Sequence, residues 1–138
     1  MSSHLLLDTC AAIWIAEDST IADAAVAALN DAAREGAPVY VSPITAWEVG
    51  LLVSRGRLAS VIQPHIWFRR LLSGTGLRLA EMPPDVLVAS SFLPGDPPRD
   101  PADRIIAATA REYGFRLVTR DQLLLAYAEQ GHIQALPC

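Results

Sequence analysis

An α/β fold in three layers, with helices on both faces of a central, mostly parallel sheet, is the architecture this sequence predicts. Three observations carry the prediction. Short apolar runs alternate with longer stretches of helical periodicity along the chain. The runs are almost continuously apolar, as strands covered on both faces should be. The helical stretches open and close on recognisable caps and stops.

"HLLLD" (4–8) reads as the first strand, bounded by Asp8. From Ala11 to about Arg34 the apolar positions Ile13, Ile15, Ile21, Ala24, Val26 and Leu29 follow helical spacing. A cap near Asp18-Ser19-Thr20 would split this stretch into two helices. "GAPVYVS" stops the second at Gly36 and gives a strand over 39–41. "SPITAWEVGLLVSRGRL" starts a helix with Ser42 as N-cap and Pro43 at the first helical position, closing near Gly56. Residues 62–73 fit an amphipathic helix, "LRLAEMP" a short strand and 84–91 a short helix. "FLPGDPPRDP" is a Pro/Gly loop, too brief to separate domains. In "DPADRIIAATAREYG" Asp100 caps, Pro101 takes the first helical position and Gly114 supplies the stop. "FRLVTRD" is a strand, 121–129 a helix and 132–135 a weak last strand.

At 138 residues the chain is expected to form one domain, 1–138, with a sizeable core. Its 51% hydrophobic and 19% charged residues place it far from the disordered class. No apolar run approaches the roughly 18 residues of a membrane span, and no basic stretch precedes the first leucines as in a signal peptide. A cytoplasmic location without membrane contact is therefore expected. Cys10 and Cys138, at opposite ends, suggest reduced thiols rather than a disulfide framework. The net charge of −4 argues against a binder that grips nucleic acid by positive charge alone. It leaves room for an enzyme on nucleic acid, because a metal site needs carboxylates and brings its own positive charge. All eleven basic residues are Arg. That suits phosphate recognition, although a GC-rich coding bias is the commoner cause of such a composition. His4, His65 and His132 lack zinc-ligand spacing.

Four acids stand out. Asp8 alone is as well explained as a helix cap. Glu48 lies too deep in its helix to cap and is flanked by Ile44, Leu51 and Leu52; on the apolar face a carboxylate needs a partner or a cation, and on the border of the stripe it is a surface residue. Asp100 and Asp103 resemble a capping box. Asp100 is assigned mainly to the cap, and Asp103 to the cleft. Asp121 could serve only as the N-cap of the last helix. Together, however, Asp8, Glu48, Asp103 and Asp121 all fall at strand ends or in the first turns of the following helices. A doubly wound sheet brings such positions to one edge, where ligands bind. Carboxylates so gathered repel and raise one another's pKa. Mg²⁺ or Mn²⁺ relieves this, activates a water and stabilises the leaving oxygen of a phosphodiester.

The ordered set "LLLDT", "SPITAWEVGLLVSRGRL", "DPADRIIAATAREYG" and "LVTRD" resembles the PIN-domain family, and within it the VapC-type toxins of bacterial toxin–antitoxin pairs. The resemblance covers nearly the whole chain and shows no departure at the four acids. It implies a Mg²⁺- or Mn²⁺-dependent ribonuclease with Asp8, Glu48, Asp103 and Asp121 as ligands. Thr119 and Thr9 would support them, and Asp100 belongs to the local pattern. Arg104 and Arg120 would be left to meet phosphate. It further implies RNA as substrate, a cognate antitoxin, a homodimer and a larger toxin–antitoxin assembly. The Pro/Gly loop 93–99 is expected to help shape the RNA groove. The apolar stripes of the helices at 43–57 and 62–73 are candidate dimer or antitoxin surfaces, although such stripes more commonly pack the core. Three alternatives remain. A haloacid-dehalogenase-type phosphatase also has an Asp at the end of strand one, but needs a second acid where Cys10 stands. A receiver-like module needs a Lys, which the chain lacks. A catalytically inactive PIN-like binding module would have lost an acid.

Overall fold

The computed structural model describes residues 3–59, 62–74 and 76–138. Five strands form one sheet: β1 (Leu5–Leu7), β2 (Val39–Val41), β3 (Leu77–Leu79), β4 (Arg116–Thr119) and β5 (Gln134–Pro137). Their order is β3-β2-β1-β4-β5, and every neighbouring pair runs parallel. The chain winds outward from β1 to β3, then returns to pair β4 on the other side of β1. The switch point therefore lies between β1 and β4, where open α/β sheets leave a crevice beyond the strand ends.

Alternation along β1 divides the core. Leu5 and Leu7 join Val39, Val41, Val118 and Leu136 on one face. They are covered by Ala11 and Ala12 of α1 (Thr9–Ala16), Ala25 and Ala32 of α2 (Asp23–Glu35), and Phe68 and Leu71 of α4 (Pro64–Ser73). Leu6 and Leu117 face the other way. There they meet Ile106, Ala107 and Ala110 of α6 (Pro101–Tyr113) and Leu124 and Tyr127 of α7 (Gln122–Glu129). Three layers result, as the uninterrupted apolar strands predict. Leu6 is fully buried, so truncating it to Ala removes about 2–5 kcal/mol of stability. α3 (Pro43–Ser54) packs against both α4 and α6 and buries Thr45 and Val49. α5 (Pro84–Ala89) packs on α6.

Several boundaries differ from those read in the sequence. β1 ends at Leu7, because Asp8 leaves the ladder to cap α1, which begins at Thr9 rather than Ala11. The break between α1 and α2 is not capped from Asp18-Ser19-Thr20. Asp18 turns the chain with φ 58°, and α2 starts after Ala22, whose methyl offers no cap bond. α4 begins at Pro64, not at 62, and α5 ends at Ala89 rather than 91. β3 stops at Leu79 and β4 spans only Arg116–Thr119. The last strand is 134–137 rather than 132–135, shifted by its pairing with β4. On α4, Phe68 and Leu71 are buried while Ile66, which the sequence spacing would put on one face with Ile62, Trp67 and Leu71, is exposed, so the apolar stripe is turned slightly from that face.

The 93–99 loop is tied to the far end of α7. The buried Tyr127 hydroxyl donates to the Pro94 carbonyl at 2.6 Å, and the Asp96 amide donates to Gln130 Oε1 at 3.2 Å. Gly95 (φ 68°) lies so close to His132 that a Cβ would come within 2.4 Å of Nε2.

Candidate active site at the carboxyl edge of the sheet

Asp8 follows the central strand and is only 5% exposed. Its Oδ1 accepts from the Ala11 amide at 2.7 Å, and its Oδ2 accepts from Thr119 Oγ1 at 2.5 Å. Burial pushes its carboxyl above the ordinary range, the Thr119 and Ala11 hydrogen bonds work against the rise, and the charge of Asp121 adds to it. Thr119 closes β4 and is fully buried. Its oxygen also accepts from the Asp121 amide at 3.0 Å, so one hydroxyl joins the ends of two strands. Asp121 caps α7, its Oδ1 accepting from the Leu123 and Leu124 amides at 2.9 and 3.0 Å.

Glu48 is half-buried on α3, one turn beyond buried Thr45. Thr9 donates its hydroxyl to Glu48 Oε1, and the Thr9 and Thr45 oxygens lie 3.1 Å apart. A hydroxyl carries one proton, so Thr45 must be the donor to Thr9. A directed chain, Thr45 to Thr9 to Glu48, thus orients the carboxylate. Burial raises the Glu48 pKa, Thr9 counters it, and the charges of Asp100 and Asp8 raise it further.

Asp103 sits in the first turn of α6, where Asp100 caps the helix by accepting from the Asp103 amide at 3.0 Å. Its pKa is pushed up to about 7, by burial first and then by Asp100, Asp121, Glu48 and Asp8. The charges of all four sequence-predicted acids, together with that of Asp100, therefore reach a common cleft. Among the described residues no three His, Cys, Asp or Glu side chains are grouped tightly enough to ligate one ion. The carboxylates are near enough to feel one another's charge without gathering about a single point. Their chemistry fits a hard divalent cation: each is a pure oxygen donor with lone pairs beyond its hydrogen bonds, and no histidine competes. Cys10 opens onto the same cleft, but partial burial and then Asp8, Glu48, Asp103 and Asp121 push its thiol to about 11. It stays protonated and is not a nucleophile at neutral pH.

The two predicted phosphate contacts separate. Arg120 stacks over Trp14 at 4.0 Å, and its Nε donates to the Cys138 carbonyl at 2.8 Å, which commits it to holding Cys138 beside Trp14. Arg104 lies on α6, its Nη1 3.5 Å from the Ser90 carbonyl. Sequence reasoning missed Thr45. Its signal was a hydroxyl one helical turn before the one acid in the α3 segment.

An all-parallel sheet with a ring of acids at its switch point defines a class of α/β protein built to present hard oxygen donors beyond the strand ends. The profile of the PIN domain matches residues 5–130, and the chain belongs to that family. It is 34% identical over 127 residues to ribonuclease VapC22 of Mycobacterium tuberculosis (strain ATCC 25618 / H37Rv), covering 92% of this chain and 93% of that one. This likeness sets it among the VapC-type members. Two solved structures share the fold. VapBC2 from Rickettsia felis, bound to a DNA fragment from its promoter, matches with TM-score 0.68 and 16% identity over 96% of this chain and 97% of that chain. FitAcB from Neisseria gonorrhoeae matches with TM-score 0.57 and 22% identity over 96% of each.

Proposed function

We propose that the chain folds as a single domain and is the ribonuclease toxin of a type II toxin–antitoxin pair, hydrolysing RNA phosphodiesters with Mg²⁺ or Mn²⁺. The observation that carries this reading is the placement of Asp8, Glu48, Asp103 and Asp121 at the carboxyl edge of the sheet, near enough that half-buried Asp103 feels the charge of the other three. The match to a ribonuclease of the same family supports it. Asp8, Glu48, Asp103 and Asp121 would hold the cation, directly or through its waters. When bound, it supplies an activated water and positive charge for the leaving oxygen. The chain's own part is preorganisation. Thr119 fixes Asp8 at the tip of β1, Thr9 fixes Glu48, and the Asp100 cap fixes the turn that bears Asp103. Asp103 holds a proton to about pH 7 in the metal-free site and releases it as positive charge enters. No covalent intermediate on the protein is required. A cognate antitoxin, a homodimer and a cytoplasmic setting accompany this reading, and the structural likeness to VapBC2 and FitAcB lends support to the antitoxin. Among the described residues no helix is long and apolar enough to cross a membrane.

Asp8→Asn is expected to abolish Mg²⁺-dependent cleavage of a small RNA panel and growth inhibition on expression, with the circular dichroism spectrum unchanged. Full cleavage by this variant, or cleavage insensitive to EDTA, refutes the metal-site reading. Binding of RNA without cleavage by the wild type favours the inactive PIN-like module instead.

A further inference from the structure

Two guanidinium groups flank the site acids in sequence, Arg99 before Asp100 and Arg104 after Asp103, and neither pairs with them. Among the described residues the one ion pair is Arg34–Asp31, both on α2. Arg99 and Arg104 instead line an open cavity of about 440 Å³ with Ser90, Ser91, Pro101 and Ile105. It lies where the chain leaving α5 meets the start of α6. Arg104 stands one residue, about 100°, around α6 from Asp103. Cations and carboxylates thus occupy adjoining sides of the same helix start. Arg99 is exposed, with no hydrogen-bond or ion-pair partner among the described residues. Arg104 is half-buried and reaches only the distant Ser90 carbonyl. The Ser90 hydroxyl is already used, donating to the Leu87 carbonyl at 2.6 Å.

A cleft of carboxylates repels an RNA strand until it is neutralised, so a cationic foothold beside it has a clear use. Two planar forks facing one cavity match the tetrahedral oxygens of a phosphate, and guanidinium is weakly hydrated and readily gives up water to meet them. The cavity volume falls in the range of ligand pockets, about 300–1,000 Å³. Resting on the nuclease reading above, the geometry points to this cavity as the subsite for a phosphate next along the RNA strand from the one cleaved. Arg99 and Arg104 grip that phosphate, and the strand then passes over the α6 N-terminus into the acid cleft. Arg120, fixed on Trp14 and Cys138, takes no part.

The test uses the full chain carrying Asp8→Asn, so that RNA stays intact, and a fluorescein-labelled single-stranded RNA of twelve nucleotides. Anisotropy titrations from 50 to 200 mM salt give both Kd and its salt slope. Arg99→Gln and Arg104→Gln together are expected to weaken binding at least tenfold at 50 mM salt. They should flatten the slope by about 0.7 for each phosphate no longer gripped. Arg99→Gln alone, at an exposed position, should act in the same direction. Arg99→Lys should retain most of the slope, and Arg34→Gln should leave it unchanged. An unchanged slope in the double variant overturns the subsite. In the Asp8→Asn protein with both arginines native, RNA binding together with RNA cleavage by the native protein keeps the nuclease reading standing whichever way the arginine variants fall. A native protein that neither binds nor cleaves RNA overturns both.

Discussion

Replacing Thr119 with Val tests how much the buried hydroxyl between β1 and β4 holds the site together. The two side chains have nearly the same shape, so no cavity opens, and the loss is one of hydrogen bonds. Thr119 donates to a carboxylate that is 5% exposed and accepts from the Asp121 amide. A hydrogen bond to a charged group contributes about 1.5–3 kcal/mol, and the half-exposed amide adds about 0.5–1. The variant should therefore lose about 2–4 kcal/mol. With an unfolding entropy of about 2.1 cal/mol/K per residue, 138 residues give ~0.29 kcal/mol/K, so Tm should fall by about 7–14 °C. Thermal and urea unfolding in EDTA at pH 8 measure this directly. The Asp8→Asn background supplies a double-mutant cycle, in which the effects of the two substitutions should depart from additivity by about 1 kcal/mol or more. A loss under 1 kcal/mol in the single variant, or strict additivity in the cycle, refutes the claim that this bond anchors Asp8.

The metal-free protein should become more stable as pH falls from about 8 to about 5. Folded Asp103 keeps its proton to about 7, whereas the unfolded chain releases it near 3.8, so the penalty for ionising it is absent at low pH, grows through this window and is complete above it. Asp8 and Glu48, both raised by burial, act in the same direction. Melts in EDTA across pH 5–8 check the slope, which Asp103→Asn should reduce, and a Tm that rises from pH 5 to 7 would contradict it. Arg120→Met removes the contact over Trp14 and the bond to the Cys138 carbonyl. It should lower stability by about 1–2 kcal/mol in urea unfolding. The salt slope of RNA binding should stay unchanged, unlike that of the Arg99 and Arg104 variants.

The three-layer architecture was legible because "LLL" and "LV" are apolar on both faces, which a parallel sheet between helices demands. Helix starts with a side-chain cap and a Pro behind it, at Ser42 and Asp100, were equally plain. The start of α2 was not, because Ala22 makes no side-chain cap and the polar residues at 18–20 attracted the boundary instead. Strand ends were overestimated at "LRLAEMP", where composition continues after pairing has stopped at Leu79. At the site, the acids were readable from their placement after strands and at helix starts. The hydroxyl chain from Thr45 through Thr9 was not, since it joins residues 36 positions apart whose proximity only the fold creates. Nor could sequence divide the arginines. Arg104 and Arg120 look alike beside their acids, and it is a tryptophan more than a hundred positions away that captures Arg120.

The bond from Thr119 to Asp8 spans 111 positions, and that span has a consequence in time. As the chain emerges from the ribosome, β1 is made first and must wait, with one edge unpaired, until β4 arrives to complete the sheet around it. Until then Asp8 lacks its Thr119 partner, Asp103 lacks its neighbour Asp121, and no complete cleft exists. A nascent chain that stops short of residue 119 therefore carries three of the acids but no assembled site. In a nuclease working among RNAs, such a delay would keep the enzyme inert beside the messenger that encodes it until β4 and the start of α7 have been made.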